Sequence, residues 1–188
     1  VRNDDNLSKL TPDEKKRLEK VADDTIAWID KDSKANKLTA DNIRDKKKEI
    51  ADKIKPLVEL AHERKHLGDS ARNVKEKLNN GHDAVAARMT PEEKKLAESA
   101  ADDALNFLQK NPGAGKGDVD DKKKEFARKL ERAIARPRAL ADLEDKAHQV
   151  LQTYVNEDTP QAAKLNKDEQ TKLRDAVEKA LEFVKNNP

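Results

Sequence analysis

The amino-acid sequence predicts an all-α protein, built of tandem three-helix bundles that are joined by a long kinked helix. Three observations predict this fold. Charged residues make up 41% of the chain and only five residues are glycine, a composition typical of long solvated helices. Three blocks of sequence recur in a fixed order. A helix-starting signal opens each copy of the first block.

The first block begins with the same helix N-terminus in each copy. Its caps are Thr11, Thr90 and Asn166, which recur at nearly equal intervals along the chain. A glutamate three residues after each cap completes a capping box, and Pro12 and Pro91 take the first helical position, where no backbone N–H is needed. An aromatic residue follows each cap by 17 positions. We expect these residues to form the buried core of each bundle; they are Trp28, Phe107 and Phe183.

The second block is a charged helix with one apolar stripe. It recurs over residues 45–50 and 121–126, at the same interval that separates Thr90 from Asn166, and each copy contains three consecutive lysines. The pattern predicts helix caps at Thr39 and at Asp118. The third block recurs at this interval too, with a narrower stripe, in which Leu67, Ala71, Val74 and Leu78 match Leu143, Ala147, Val150 and Tyr154.

No stop signal separates the second block from the third. From Ala40 to about Leu78 the pattern stays helical, interrupted by Pro56 and Gly68, and Pro137 marks the matching passage of the next copy. A proline kinks a helix without necessarily ending it. We therefore expect a spectrin-like rod, divided into units at residues 1–62, 63–138 and 139–188. The third unit lacks its second block, so it is expected to be truncated from a longer array.

These blocks resemble the C-terminal helical lid of 70-kDa heat-shock chaperones, most closely the endoplasmic-reticulum branch. The first block with its Ala27-Trp28-Ile29-Asp30-Lys31 ending is similar to one lid helix, and the lysine-rich block followed by Ile54-Lys55-Pro56-Leu57 is similar to the next. The run Leu143-Glu144-x-x-Ala147 is similar to the long preceding helix. The resemblance implies the fold of the lid, and it favours the secretory route over the cytoplasm.

The departures from that family restrict the function. The chain carries no Gly-rich phosphate loop and no strand-rich peptide-binding segment, so the family's ATPase and client cleft cannot be assigned to it. We expect a non-enzymatic structural spacer or protein-interaction scaffold. The alternatives are chaperone-like holding of unfolded clients, and self-association in which the truncated unit exchanges helices with a second copy.

Candidate sites each have a simpler explanation. His62 and His66 lie four residues apart and could hold a metal ion with Glu59 or Glu63, but the His-Glu-x-x-His order is absent. Surface histidines are the favoured interpretation. The glycines within residues 111–117 lack the spacing of a P-loop and are expected to form a turn. The sequence therefore predicts no catalytic, cofactor-binding or metal-binding residue.

The lysine runs are the remaining candidate for a binding site. Acidic neighbours flank residues 46–48 and 122–124, and no aromatic residues interleave for base stacking. A formal net charge of +2 also argues against nucleic acid. The interpretation is a solvated helix face, with proteins as the expected partners. No stretch approaches the roughly 20 apolar residues of a membrane span.

Overall fold

The computed structural model describes residues 7–35, 38–81, 83–156 and 159–187. Within these ranges 87% of the residues are helical and no strand occurs, which confirms the predicted all-α class. The helices are α1 (Pro12–Lys34), α2 (Ala40–Asn79), α3 (Ala84–Ala87), α4 (Pro91–Lys110), α5 (Lys116–Val150) and α6 (Lys167–Asn186). Single turns of 3₁₀ helix span Leu7–Lys9 and Ala162–Lys164, and a π-helical turn, Leu151–Val155, continues α5.

The predicted capping boxes start three of these helices. In α1 and α6 the caps are Thr11 and Asn166, and both halves of the box are formed. At the start of α4, the Thr90 N–H donates to the Glu93 carboxylate at 2.8 Å, and the Glu93 N–H donates to the Thr90 hydroxyl at 3.2 Å. Two N–H groups that the helix itself cannot pair are satisfied at each start.

The second-block caps follow the prediction in one copy only. The Thr39 hydroxyl accepts a hydrogen bond from the Asn42 N–H at 3.2 Å. Asp118, however, is the third residue of α5 and not its cap. The helix begins earlier than predicted, directly after Gly115, which has no side chain that could cap it. The Asp118 carboxylate instead accepts a hydrogen bond from the Gly115 N–H at 3.1 Å.

The predicted long helix is confirmed in both copies. Helix α2 has 40 residues and continues through Pro56, and α5 has 35 residues and continues through Pro137. Because neither proline is followed by a turn signal, the backbone hydrogen bonds resume beyond it.

The chain forms two compact units. Unit 1 contains residues 1–72 and 102–125, and unit 2 contains residues 73–101 and 126–188. Each unit therefore combines helices from more than one copy of the repeat. The three-part division by sequence repeat stays a prediction.

The core of unit 1 is small and unevenly distributed. Its buried apolar residues are Leu10, Ala61, Leu67, Ala71, Ala104, Ala114 and Val119. In α1 the buried residue is a charged one, Glu14, and residues 40–60 of α2 contain no buried side chain. The hairpin of α1 and the first half of α2 is therefore held by half-buried contacts.

The core of unit 2 is built mainly of alanines. One cluster contains Ala86, Met89, Ala97 and Ala133, against which Val74, Leu78, Leu130 and Ile134 pack. Small side chains fill little volume, so helices that meet through them must approach closely to exclude voids. Phe126 is the one aromatic residue of this unit that is buried among the described residues.

The prediction that the three recurring aromatic residues form bundle cores is wrong. Trp28 and Phe107 are half-buried, and Phe183 is 55% exposed. The ammonium of Lys46 lies 5.8 Å from the centre of the Trp28 ring, and that of Lys122 lies 5.9 Å from the Phe107 ring. The first two rings thus make cation–π contacts with lysine side chains from the second block.

The two helix-interior prolines provide a test of this fold. Pro56 is exposed, whereas Pro137 is fully buried. Replacing Pro56 by alanine restores a backbone N–H and removes a ring clash, so the free energy of unfolding should rise by about 1–3 kcal/mol. In the matched variant Pro137→Ala, a packing defect offsets this gain. Urea denaturation followed by helical circular dichroism measures both; equal gains would contradict the difference in burial.

Candidate functional site

The most constrained polar arrangement of unit 1 surrounds Arg64 in α2. This side chain is only 4% exposed. Its Nη1 donates to Oε2 of Glu14 at 2.8 Å, and its Nη2 donates to Oε1 of the same carboxylate at 3.1 Å. Nη1 also donates to the Lys9 carbonyl at 3.3 Å, and Nη2 to the Ala114 carbonyl at 2.6 Å. We call this arrangement the first clamp.

A second clamp surrounds Arg136 of α5 in unit 2. Its Nε donates to Oε1 of Glu93 at 2.9 Å, and its Nη2 donates to Oε2 at 2.7 Å. Nη2 also donates to the Arg88 carbonyl at 2.8 Å, and Nη1 to the Asn187 carbonyl at 3.2 Å. Two-pronged guanidinium–carboxylate contacts of this kind fix both distance and orientation.

The two clamps use equivalent partners in successive copies of the repeat. Glu14 and Glu93 are both the glutamate of a capping box, and Lys9 and Arg88 both lie two residues before the cap. The remaining acceptor is the Ala114 carbonyl, after α4, in the first clamp and the Asn187 carbonyl, after α6, in the second. Each arginine therefore joins the start of one first-block helix to the residues that follow the first-block helix of the next copy.

The clamps differ in how the guanidinium is used and in burial. Arg64 binds the carboxylate through its two Nη atoms, which leaves its buried Nε without a hydrogen-bond partner. Arg136 binds the carboxylate through Nε and Nη2, and its side chain is 39% exposed. The first clamp thus carries the larger desolvation cost, and breaking it leaves a buried charge unpaired.

The clamps lower the pKa of both glutamates. Burial alone would raise the pKa of Glu14, but hydrogen bonds from Arg64 and Thr11 outweigh it and lower the pKa below its usual value. At Glu93 the hydrogen bond from Arg136 is the main cause, and it lowers the pKa to about 2. Both carboxylates are therefore ionised throughout the physiological range.

The lysine runs do not form the uniformly solvated face that their flanking charges predict. The first lysine of each run, Lys46 or Lys122, is half-buried over an aromatic ring and also pairs with a glutamate three residues on, at 2.9 Å in both copies. Lys123 pairs with Glu63 of α2. The long aliphatic stems let these cations cover apolar surface while the charge stays near water.

The other residues considered from sequence are not brought together into a site. His62, His66 and His148 are exposed, and His82 lies outside the described residues. In the part of the chain that the structure describes, no group of three or more acidic or histidine side chains could hold a metal ion. The glycine-containing turn has a role that sequence did not suggest, because its Ala114 carbonyl is an acceptor of the first clamp.

A cavity of about 340 Å³ lies beside the first clamp in unit 1. Its apolar lining comes from Leu10, Pro12, Leu105, Leu108 and Pro112, and Arg72 lies on its polar side. Arg72 is paired with Asp69 at 2.6 Å, so this arginine is not left without a counter-ion.

The sequence alone does not predict either clamp arginine. The spacing between Arg64 and Arg136 is one helical turn shorter than the spacing between the two copies of the second and third blocks, so repeat alignment does not pair them. One signal is present: Arg64 lies in the same stripe as Ala61, Leu67 and Ala71. An arginine on an apolar helix face needs a buried partner.

Comparison with known proteins provides no family for the chain: no family model, no curated protein and no solved structure matches it. Among the helices that the structure describes, none is long and apolar enough to cross a membrane. Function is therefore inferred from the geometry of the two clamps and from the repeat.

The second clamp makes a specific prediction about acid stability. The pKa of Glu93 is lowered to about 2 from an ordinary value of 4.5. The ionised carboxylate therefore contributes fully to the free energy of unfolding above pH 4.5, and this contribution is lost as the pH falls towards 2. Carbon-13 NMR of the Glu93 carboxyl should show a midpoint near 2 in the intact protein. In Arg136→Met the midpoint should move up towards 4.5. An unchanged midpoint in that variant would show that Arg136 does not hold the carboxylate.

Proposed function

We propose that this chain is a non-enzymatic helical repeat array that serves as a structural spacer or a scaffold for protein interactions. Its units are interpreted as lid-like three-helix bundles in a spectrin-like rod, in keeping with the resemblance to the lid of 70-kDa heat-shock chaperones. The alternative is chaperone-like holding of unfolded or peptide clients, which the exposed apolar residues Ile26, Ile43 and Phe183 would serve.

The observation that carries the proposal is the recurrence of the clamp. The same three groups meet in both clamps. They are the glutamate of a capping box, an arginine of the long helix that follows in the sequence, and a backbone carbonyl just after the first-block helix of the next copy. A spacer requires that successive copies be joined in a reproducible way. Directional charge-assisted hydrogen bonds provide such a joint better than apolar contacts do, because apolar contacts tolerate sliding.

The titration behaviour of the carboxylates supports a structural role. Hydrogen bonds from lysine or arginine lower the pKa of five carboxylates, those of Glu14, Glu49, Glu63, Asp69 and Glu93. A general acid or base that works near neutral pH requires a carboxylate pKa that is raised. Three of these pairs, Glu14 with Arg64, Glu63 with Lys123 and Glu93 with Arg136, join different helices.

Small-angle X-ray scattering at low chain concentration, with in-line mass determination, tests the proposal. A particle with the single-chain mass of 21.2 kDa should have a radius of gyration well above the roughly 16 Å of a compact globule of this length. Arg136→Met should broaden the distance distribution, because the joint at the second clamp is lost, whereas Lys20→Met on the exposed surface should leave it unchanged. A wild-type monomer with the radius of the compact globule would rule out a spacer.

A further inference from the structure

The cavity beside the first clamp lies next to Gly68 of α2, which forms part of its lining. A Cβ added at Gly68 would lie 3.3 Å from Nη2 of Arg72 and 3.4 Å from Cδ1 of Leu108, and both of these side chains also line the cavity. All of the lining residues belong to unit 1. A larger side chain at position 68 would therefore have to displace its neighbours or occupy the cavity.

The second clamp shows which residue takes this position when the space is filled. Gly68 lies four residues after Arg64, and Leu140 lies four residues after Arg136, which is about one helical turn in each case. Leu140 is buried, with 6% of its surface exposed. At the same step from its clamp arginine, unit 2 thus has a buried leucine where unit 1 has a glycine and a cavity.

The charges around this position also differ between the two clamps. Eight residues after the clamp arginine, unit 2 has Glu144 and unit 1 has Arg72. Glu144 pairs with Arg88, and the counterpart of Arg88 in unit 1 is Lys9. Both Arg72 and Lys9 line the cavity. An acid–base pair of unit 2 is therefore replaced by two cations at the cavity of unit 1.

Arg72 has hydrogen-bond donors beyond the one that binds its counter-ion. Its Nη2 donates to Asp69 at 2.6 Å, and the same aspartate also accepts from Lys65. A guanidinium carries five N–H donors in one plane, and the Arg72 side chain is 54% exposed, so it can serve Asp69 and a second acceptor together. The part of the cavity lining that the structure describes contains no acidic side chain.

We propose that this cavity binds a small amphipathic carboxylate, whose apolar chain packs against Leu105 and Leu108 while its carboxylate lies at Arg72. The volume of about 340 Å³ is at the lower end of the range for ligand sites, roughly 300–1,000 Å³, so the ligand has few atoms. A lining that combines cations with half-buried leucines complements one negative group on an apolar body. The planar guanidinium matches the geometry of a carboxylate. This inference goes beyond the spacer function and does not rest on it.

A titration of the full chain followed by proton–nitrogen correlation NMR tests the site, with octanoate as the probe and octan-1-ol as its uncharged match. In wild type, octanoate should cause saturable shifts at the backbone amides of Gly68 and Leu108. Arg72→Gln should weaken octanoate binding by about tenfold, because a charge-assisted hydrogen bond is lost, and should leave the affinity for octan-1-ol unchanged. In the matched control Arg44→Gln, an exposed arginine of α2 that also pairs with an aspartate three residues earlier is removed, and binding of octanoate should not change.

Filling the cavity provides a second, independent variant. Gly68→Leu introduces the residue that unit 2 has at this position, and binding of both octanoate and octan-1-ol should be lost while helical circular dichroism stays that of a folded chain. If this variant does not fold, the comparison of Arg72→Gln with Arg44→Gln decides. The proposal would be overturned by a wild-type chain without saturable shifts at the cavity, by equal octanoate affinities of the two arginine variants, or by a folded Gly68→Leu variant that still binds octanoate.

Discussion

A guanidinium buried against a capping-box carboxylate is the interaction on which the rest of this structure depends. Arg64 is 4% exposed and meets two glutamate oxygens and two backbone carbonyls. A charge in such a place is tolerated only while all of these partners are present, since an unpaired buried charge costs several kcal/mol. The clamp therefore ties together three segments that are distant in the sequence: the start of α1, the middle of α2 and the turn after α4.

The composition of the chain explains why a polar joint is needed. Among the described residues, the core is made mostly of alanines, and the largest fully buried side chains are those of Leu67, Val119 and Pro137. Burial of apolar surface stabilises a fold by about 25 cal/mol per Å², and each alanine buries little surface. Alanines also specify the register between two helices only weakly. The clamps add direction, because a two-pronged contact restricts how the helix and the carboxylate are placed. A second two-pronged contact, made through Nε and Nη2, joins Arg136 to Glu93.

Local features of the fold were predictable from sequence, and long-range ones were not. Capping boxes depend on residues that are close in the chain, so Thr11, Thr90 and Asn166 were identified correctly. The clamps depend on residues that are 50 and 43 positions apart in the chain. The two arginines were not recognised as equivalent because their spacing is one helical turn shorter than the repeat interval. The burial of Phe183 was predicted wrongly because burial is decided by what covers a residue, and helical spacing specifies only the face on which it lies.

A double-mutant cycle on Arg64 and Glu14 tests the central claim most directly. The free energies of unfolding of Arg64→Met, Glu14→Gln and the double variant are compared with wild type, and the exposed pair Lys20 and Asp24 serves as the control cycle. We expect a coupling energy of about 2–3 kcal/mol for the clamp and at most about 0.5 kcal/mol for the control. Additive effects at Arg64 and Glu14 would contradict the claim that the clamp holds unit 1 together.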